Sequence, residues 1–337
     1  RSEASAFIPE DVWDANIEYT AGKEDKIIRS LYSRLVYTKN PSSSVPEMAV
    51  ELRKALEQSE LNEDTTKATL GKAFSGVTKD AVLHTLRNLV EVHRGDRQED
   101  NRDSLQFKRV QNLPDYLRTR FAKEHDTVRR VKNKLTFGLE KIDGNKPKIS
   151  DAVPAKPFNK IYSSYIQKSS LISTPSETNP IESLENVGKV TVLGPQEGGI
   201  SDPRGVPMAA RNIDPSHLGI LDPSRTPESG HAGIDQRFTI SARRDKEGRL
   251  YSKVVDKNGK VVHISVTELM NSVIGFPDQR FTKSSMVEAQ DHGEMRRVPR
   301  EKVDYWINDA TDLYTVTTNL VPFLNSNHPG RLTMAGK

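Results

Sequence analysis

Apolar side chains recur along the first part of the chain at intervals of three and four residues. Ile28, Leu31, Tyr32 and Leu35 form one stripe, Met48, Leu52 and Leu56 a second, and Val82, Leu86, Leu89 and Val90 a third. That spacing puts side chains on one face of a helix, so each stripe predicts an amphipathic helix with that face buried. The flanks agree. Ser44 stands three residues ahead of Glu47, the pattern of a reciprocal N-terminal cap, and Thr78 precedes Asp80 and the third stripe. The third helix closes with His93 and Arg94 in its last turn and Gly95 just past it.

A further helical stretch is predicted from Asp103 to about Leu139, interrupted at Pro114. Its surface is densely basic, with Lys108, Arg109, Arg118, Arg120, Lys123, Arg129, Arg130, Lys132 and Lys134. A solvated helix face is the plain reading of such a run. The Pro/Lys-rich stretch from Asp143 to Pro157 marks a boundary or hinge. From about Lys189 the period shortens to two. "KVTVL", "FTISARR" (238–244) and "LYSKVVDKNGKVVHISV" (250–266) predict strands, and Asn258-Gly259 between two β-branched runs predicts a two-residue hairpin turn. "VDYWI" adds a last strand and "LYTVTTNLVPFL" an apolar segment. The expected class is α+β, helices first and strands later.

Composition narrows the rest. With 337 residues, 34% of them hydrophobic and 28% charged, the chain can bury several small cores joined by polar connections. That fits two or three domains or one elongated, multi-lobed unit. No apolar run approaches the length of a membrane span. The first residues carry neither a signal-peptide pattern nor an initiating Met, as expected if the front is processed or the chain begins inside a longer one. The absence of cysteine rules out disulfides and thiolate zinc sites, and the eight histidines show no ligand spacing. A net charge of +4 is a mild lean toward polyanions, so nucleic-acid binding would need the basic residues grouped on one face. Nucleotide-binding glycine loops, metalloprotease helices and nucleophile elbows are missing from the sequence.

Two neighbouring stretches stand apart. "VLGPQEGGISDPRGVP" (192–207) holds four glycines and three prolines, and "RNIDPSHLGILDPSRTPESGHAGI" (211–234) three of each. Glycine permits positive φ and close backbone approach, while proline removes alternatives. The result is a rigid, polar, turn-rich surface. A plain surface loop shares this composition.

The second stretch is similar to the fork and rifampicin-pocket region of the β, or second-largest, subunit of multisubunit DNA-directed RNA polymerases. Arg211, Pro215, His217, Gly219, Pro223, Thr226, Pro227, Glu228 and Gly233 fall in register with that family without a gap. Upstream, "TNPIESLENVGKVTVLGP" resembles the family's segment at matching length. "VLHTLRNLVEVHRGDRQEDNRDSLQFKRV" (82–110) and "VDYWINDATDLYTVTTNLVPFLNSNHPGRLTMAGK" (303–337) resemble two more, in the right order. Together the four segments span roughly a third of the chain.

The resemblance implies a division of the chain into the helical end of a lobe (1–95), a protrusion-like helical segment (96–170), a fork and rifampicin-pocket-like channel segment (171–235), and a β-rich region ending near the active site (236–337). It implies that Arg331 contacts the phosphates of the incoming nucleotide. Lys189, Arg204, Arg211, Arg225, Glu228 and His231 would line the nucleic-acid channel, Arg204 in the loop equivalent to the second fork loop. No catalytic residue is expected here, because the family's Mg²⁺-binding aspartates belong to the β′ subunit. Partners would be the remaining β and β′-like chains, a DNA template, the RNA transcript and nucleoside triphosphates, with no membrane.

Departures matter as well. Thr174, Ser176 and Asn186 stand where the drug pocket has an aromatic, an aspartate and a histidine, so rifampicin is expected to bind weakly or not at all. Ser229 replaces a glycine, and Gly330 replaces the asparagine before Arg331. β subunits continue well past the point matching Lys337. Divergence and shortness together resemble the divided β subunits of giant bacteriophages of the phiKZ-like group, and a piece of a longer chain fits equally. The expected location is the host cytoplasm, or the virion if the enzyme is packaged. The rival expectation is a non-catalytic β-like phage protein that binds nucleic acid or the host polymerase and regulates it. A structural virion protein is a third.

Overall fold

The computed structural model describes residues 7–20, 22–36, 44–123, 125–140, 156, 158–172, 174, 178–195, 198–227 and 229–335. It divides into two compact units, Arg1–Arg102 and Asp103–Lys337. The longer helices precede the strands, three short ones (Val266–Met270, Val316–Asn319 and Pro329–Ala335) lie among or after them, and the class is α+β.

The first unit is helical: α1 (Glu10–Thr20), α2 (Glu24–Leu35), α3 (Val45–Glu57), α4 (Glu63–Leu70) and α5 (Lys79–Arg94). The Thr78 hydroxyl accepts from the Ala81 amide at 3.2 Å, and Gly95 closes α5 in the left-handed region. Asn62 caps α4 by accepting from the amides of Asp64 and Thr65. Ser44 makes no side-chain cap; Pro46 opens α3 instead. Helix α2 packs on α3 and buries Tyr32, Met48 and Leu52.

The stripes are only partly buried. Leu31 and Leu35 remain exposed, and on α5 Val82, Leu86 and Leu89 do too, leaving Ala81 as its buried residue. Length explains α5: its packing partner α4 is about 12 Å long against about 24 Å for α5, too short to cover the stripe.

The second unit opens with a 3₁₀ turn at Leu105–Phe107, then α6 (Leu113–Lys123), α7 (His125–Glu140), α8 (Asn159–Lys168) and α9 (Pro180–Val187). Pro114 sits in the first turn of α6 and starts that helix instead of interrupting a longer one. Arg129, Arg130, Lys132 and Lys134 lie exposed on α7. The hinge expected at 143–157 lies outside the described residues apart from Lys156.

Two sheets follow. β1 (Lys189–Thr191) pairs antiparallel with β2 (Asp235–Arg237). The larger sheet has seven strands: β3 (Arg243–Arg244), β4 (Leu250–Val255), β5 (Val261–Ser265), β6 (Val273–Gly275), β7 (Met286–Asp291), β8 (Glu294–Pro299) and β9 (Tyr305–Ile307). β5 runs along one edge of β4, while β3 and β9 share the other. β9 joins β4 antiparallel and β6 parallel, and β7 and β8 extend the sheet beyond β6.

The expected hairpin of β4 and β5 is present with a longer turn. Asp256 and Lys260 close it, the Asp256 amide donating to the Lys260 carbonyl at 2.9 Å, so Lys257, Asn258 and Gly259 form a three-residue loop. Asp256 Oδ1 accepts from the amides of Asn258 and Lys260, and Gly259 alone takes positive φ. A mirror-image two-residue turn would need Asn258 left-handed too. The strand expected over 238–244 shrinks to Arg243–Arg244. The Thr239 hydroxyl donates to the Gly219 carbonyl and the Ser241 hydroxyl to that of Asp312, contacts that draw the chain away from a ladder.

Val254, Ile264, Leu269, Ile274 and Ile307 make one core across the sheet, and Val273, Val287, Ala289, Val298 and Val303 a second. A third joins Ile220 and Leu221 to Leu250 and Val266. This last cluster roots the loop stretch in the sheet. Each Val, Leu or Ile among them contributes about 2 kcal/mol by leaving water. Among the described residues no helix is long and apolar enough to cross a membrane.

Candidate nucleic-acid interface

Helix α9 begins at Pro180, with Asn179 accepting from the Ile181 amide at 3.0 Å, and leads into β1. Pairing of β1 with β2 sets Lys189 opposite Arg237. The described chain from Val192 to Ile234 then consists of loops and single 3₁₀ turns at 203–205, 208–211, 215–217 and 229–231.

One device repeats along it. In Asp202-Pro203-Arg204, Asp214-Pro215-Ser216 and Asp222-Pro223-Ser224 the aspartate Oδ1 accepts from the amide two residues on, at 2.9, 2.9 and 2.8 Å. Proline holds the aspartate extended and fixes its own φ, so the turn is formed at little entropic cost. Asp222 and Ser216 also look inward: Asp222 Oδ2 accepts from the Thr315 amide at 2.7 Å, and Ser216 Oγ from the Leu105 amide at 2.9 Å. Within the second turn the Asp214 amide donates to His217 Nδ1. Burial holds the His217 imidazole below its usual range, Lys108 acting the same way and Asp214 against it.

Arg211 clamps the stretch. Its Nε donates to the Val206 carbonyl at 3.2 Å, Nη1 to Gly230 at 3.0 Å and Nη2 to Pro203 at 2.6 Å. Gly233 lies against it: a Cβ there would stand 2.2 Å from the Arg211 carbonyl oxygen, and its φ is +72°. The Gly233 amide donates to Thr226 Oγ1 at 2.7 Å. Ser229 adopts φ +68°.

Below the loops lies a buried polar layer. Glu185 of α9 pairs with Arg225 and also accepts from Thr317 Oγ1. Asp235 forms an ion pair with Lys189 at 3.2 Å and meets His231 Nδ1 at 3.5 Å. A cleft of about 600 Å³ opens between α9, Arg225, Arg237 and the 317–322 segment.

The expected channel residues thus divide. Arg211 and Arg225 are committed inside the protein, the first to carbonyls and the second to Glu185. Lys189 and His231 come together on Asp235, each partly exposed. Arg204 is exposed, and its guanidinium has no partner among the described residues. Arg331 is exposed on α10 (Pro329–Ala335), where the hydrogen bonds of the described segment are local, as in Asn327 to the Phe323 carbonyl. Glu228 and Ser176 lie outside the described residues. Thr174 is exposed, and Asn186 Oδ1 accepts from Arg237 at 3.4 Å.

Sequence reading missed Glu185, Asp222, Arg237 and Thr317. The three Asp-Pro pairs were a usable signal for the turns; nothing local marks Glu185 as the partner of Arg225. Among the described residues no group of three or more His, Asp or Glu is placed to hold a metal ion. No protein-family model matches the chain.

Proposed function

We propose that the chain is a partial β subunit of a multisubunit DNA-dependent RNA polymerase, of the divided kind found in giant phages. Its role is to wall the nucleic-acid channel and help position the incoming nucleotide. The observation that carries the reading is the union of Arg211 with Gly233. These two residues of the resembling motif hold one loop in shape, the arginine through three carbonyls and the glycine by admitting the arginine's backbone. Ser229 keeps a left-handed φ where the family has glycine, which also supports it. A channel wall must present polar groups to a moving nucleic acid without reordering at each step, and preformed turns lower that recurrent cost.

On this reading Arg204 meets phosphates of the downstream duplex and Arg331 those of the nucleotide, with Lys189 and His231 on the same wall. Guanidinium suits both tasks because it stays charged and binds phosphate oxygens in pairs. Mg²⁺ on a β′-like partner supplies the two-metal chemistry of nucleotidyl transfer. This chain binds, orients and separates.

The test is purification from the native source in mild salt, followed by transcription on a DNA template. The expected result is co-purification with a chain bearing a metal-binding aspartate cluster, and a nucleotide KM raised about tenfold by Arg331→Ala, the loss of one charge-assisted contact. Recovery with host polymerase alone, and no effect of Arg331→Ala, would make a regulator the better account.

A further inference from the structure

We propose that the cleft between α9, Arg237 and the 317–322 segment binds a small organic oxyanion, a carboxylate or phosphate monoester carrying an apolar body. The inference stands on the cleft and does not depend on the polymerase reading.

The argument begins with hydrogen-bond accounting at Arg237. A guanidinium has five N–H groups and no acceptor. Here Nη1 reaches the Gln236 carbonyl at 3.2 Å, Nη2 reaches Asn186 Oδ1 at a long 3.4 Å, and Nε is out of water with no acceptor. Burial, then the like charge of Arg225, hold this guanidinium below its usual range. The site therefore carries a half-buried cation with only two of its five N–H groups bonded.

Glu185, Asp235 and Glu182, in that order, support this charge through space, but none of them accepts a hydrogen bond from it. Glu185 is engaged by Arg225 and Thr317. Asp235 is engaged by Lys189 and His231. Glu182 acts on Arg237 only through space, as the weakest of its charge partners. A buried or half-buried arginine ordinarily has a carboxylate or phosphate across from it. Nε, closed off from water, is closed to a ligand as well, but Nη1 and Nη2 each make a single hydrogen bond and keep a second N–H that an incoming oxyanion can meet.

The cleft itself defines the rest of that ligand. At about 600 Å³ it has the size of a small-molecule site. Its walls carry the apolar side chains Ile181, Leu320, Val321 and Pro322 together with two carboxylates, Glu182 and Glu185, the second of them already held by Arg225 and Thr317. Ile181 and Leu320 are 38% and 63% exposed, so apolar surface stands in water there until something covers it. An oxyanion forked onto Arg237, with its apolar part on those side chains, satisfies both halves at once. Free phosphate would satisfy only one.

The experiment is calorimetric titration of the full chain with phenyl phosphate, benzoate, inorganic phosphate and neutral benzyl alcohol, paired with thermal melting. Saturable binding of phenyl phosphate or benzoate is expected, with inorganic phosphate and benzyl alcohol at least about tenfold weaker. Arg237→Gln should lower the affinity about tenfold or more. Leu320→Trp, at an exposed wall position, should block binding while leaving the ligand-free melting temperature unchanged. If Arg237→Gln fails to fold, Leu320→Trp decides. No saturable response to either aromatic anion, an equal response to benzyl alcohol or inorganic phosphate, or undiminished binding in Leu320→Trp would each overturn the proposal.

Discussion

Glu185 and Arg225, forty residues apart, form an ion pair beneath the loop stretch, and the same carboxylate accepts a hydrogen bond from the Thr317 hydroxyl. Three remote segments meet on one side chain. The side chain of Glu185 is 5% exposed and that of Arg225 16%, so neither charge can turn to water if its partner is lost. Arg225→Ala should therefore cost about 3 kcal/mol or more, seen as a lower urea midpoint with an unchanged slope. Glu185→Leu/Arg225→Leu, which removes both charges, should cost less than the single change. Simple additivity of the two would show that the pair is not coupled.

Gly233 and Ser229 share positive φ but should respond in opposite directions. Gly233→Ala drives a methyl group into the Arg211 carbonyl and should cost about 3 kcal/mol. At Ser229, exposed and already left-handed, a glycine relieves strain at the expense of a freer unfolded chain. Ser229→Gly should be neutral to stabilising by up to about 1 kcal/mol. Melting temperatures of the two variants check both signs.

His217 gives the unit an acid-side weakness. Its folded imidazole is held below the ordinary value of 6.5, with burial the leading cause, while the unfolded chain takes up a proton near that value. Below pH 6.5 the unfolded state then binds more protons than the folded one, so stability falls as pH drops through this window. His263, lowered by burial and by Arg243 and Lys253, acts with the same sign. Urea midpoints should be lower at pH 5.5 than at 7.5, and the gap should narrow in His217→Gln. An unchanged gap in that variant would remove His217 from the account.

If the chain is the polymerase part proposed above, rifampicin should not inhibit transcription by the assembled enzyme at doses that stop bacterial polymerase. Asn186 stands where the resemblance would set a histidine, and its amide oxygen is engaged by Arg237. Thr174 offers no stacking face. Inhibition curves against a bacterial enzyme in the same assay check this, and equal sensitivity would place a working drug pocket here.

Local signals were the readable part of the sequence. Thr78 and Gly95 bounded α5 correctly because a cap is satisfied within one turn. Asn258-Gly259 located the hairpin but not its loop length, because the deciding acceptor is the neighbouring Asp256 carboxylate. The stripe of α5 predicted the helix but not its burial, which depends on how long a neighbour happens to be. The candidate site was legible where it is sequence-local, in the turns around Arg204, Arg211 and His217. It was illegible where it rests on distant partners. Nothing near Glu185 or Thr315 in the sequence announces Arg225 or Asp222, and only the folded chain brings them together.

The three-residue strand β9 has a consequence for how the second unit is made. It lies between β4 and β6, and it emerges from synthesis 40 residues after the end of the β4–β5 hairpin, from Ser265 to Tyr305. Until Ile307 is available, β4 and β6 each present an unpaired edge beside an unfilled core. Local pairing of β4 with β5 can proceed early, but closure of the sheet waits on a late, long-range contact, which folds slowly and exposes sticky edges meanwhile. A nascent chain stalled before Tyr305 is thus the form of this protein most prone to aggregate, and the stretch around β9 is where a chaperone would matter most.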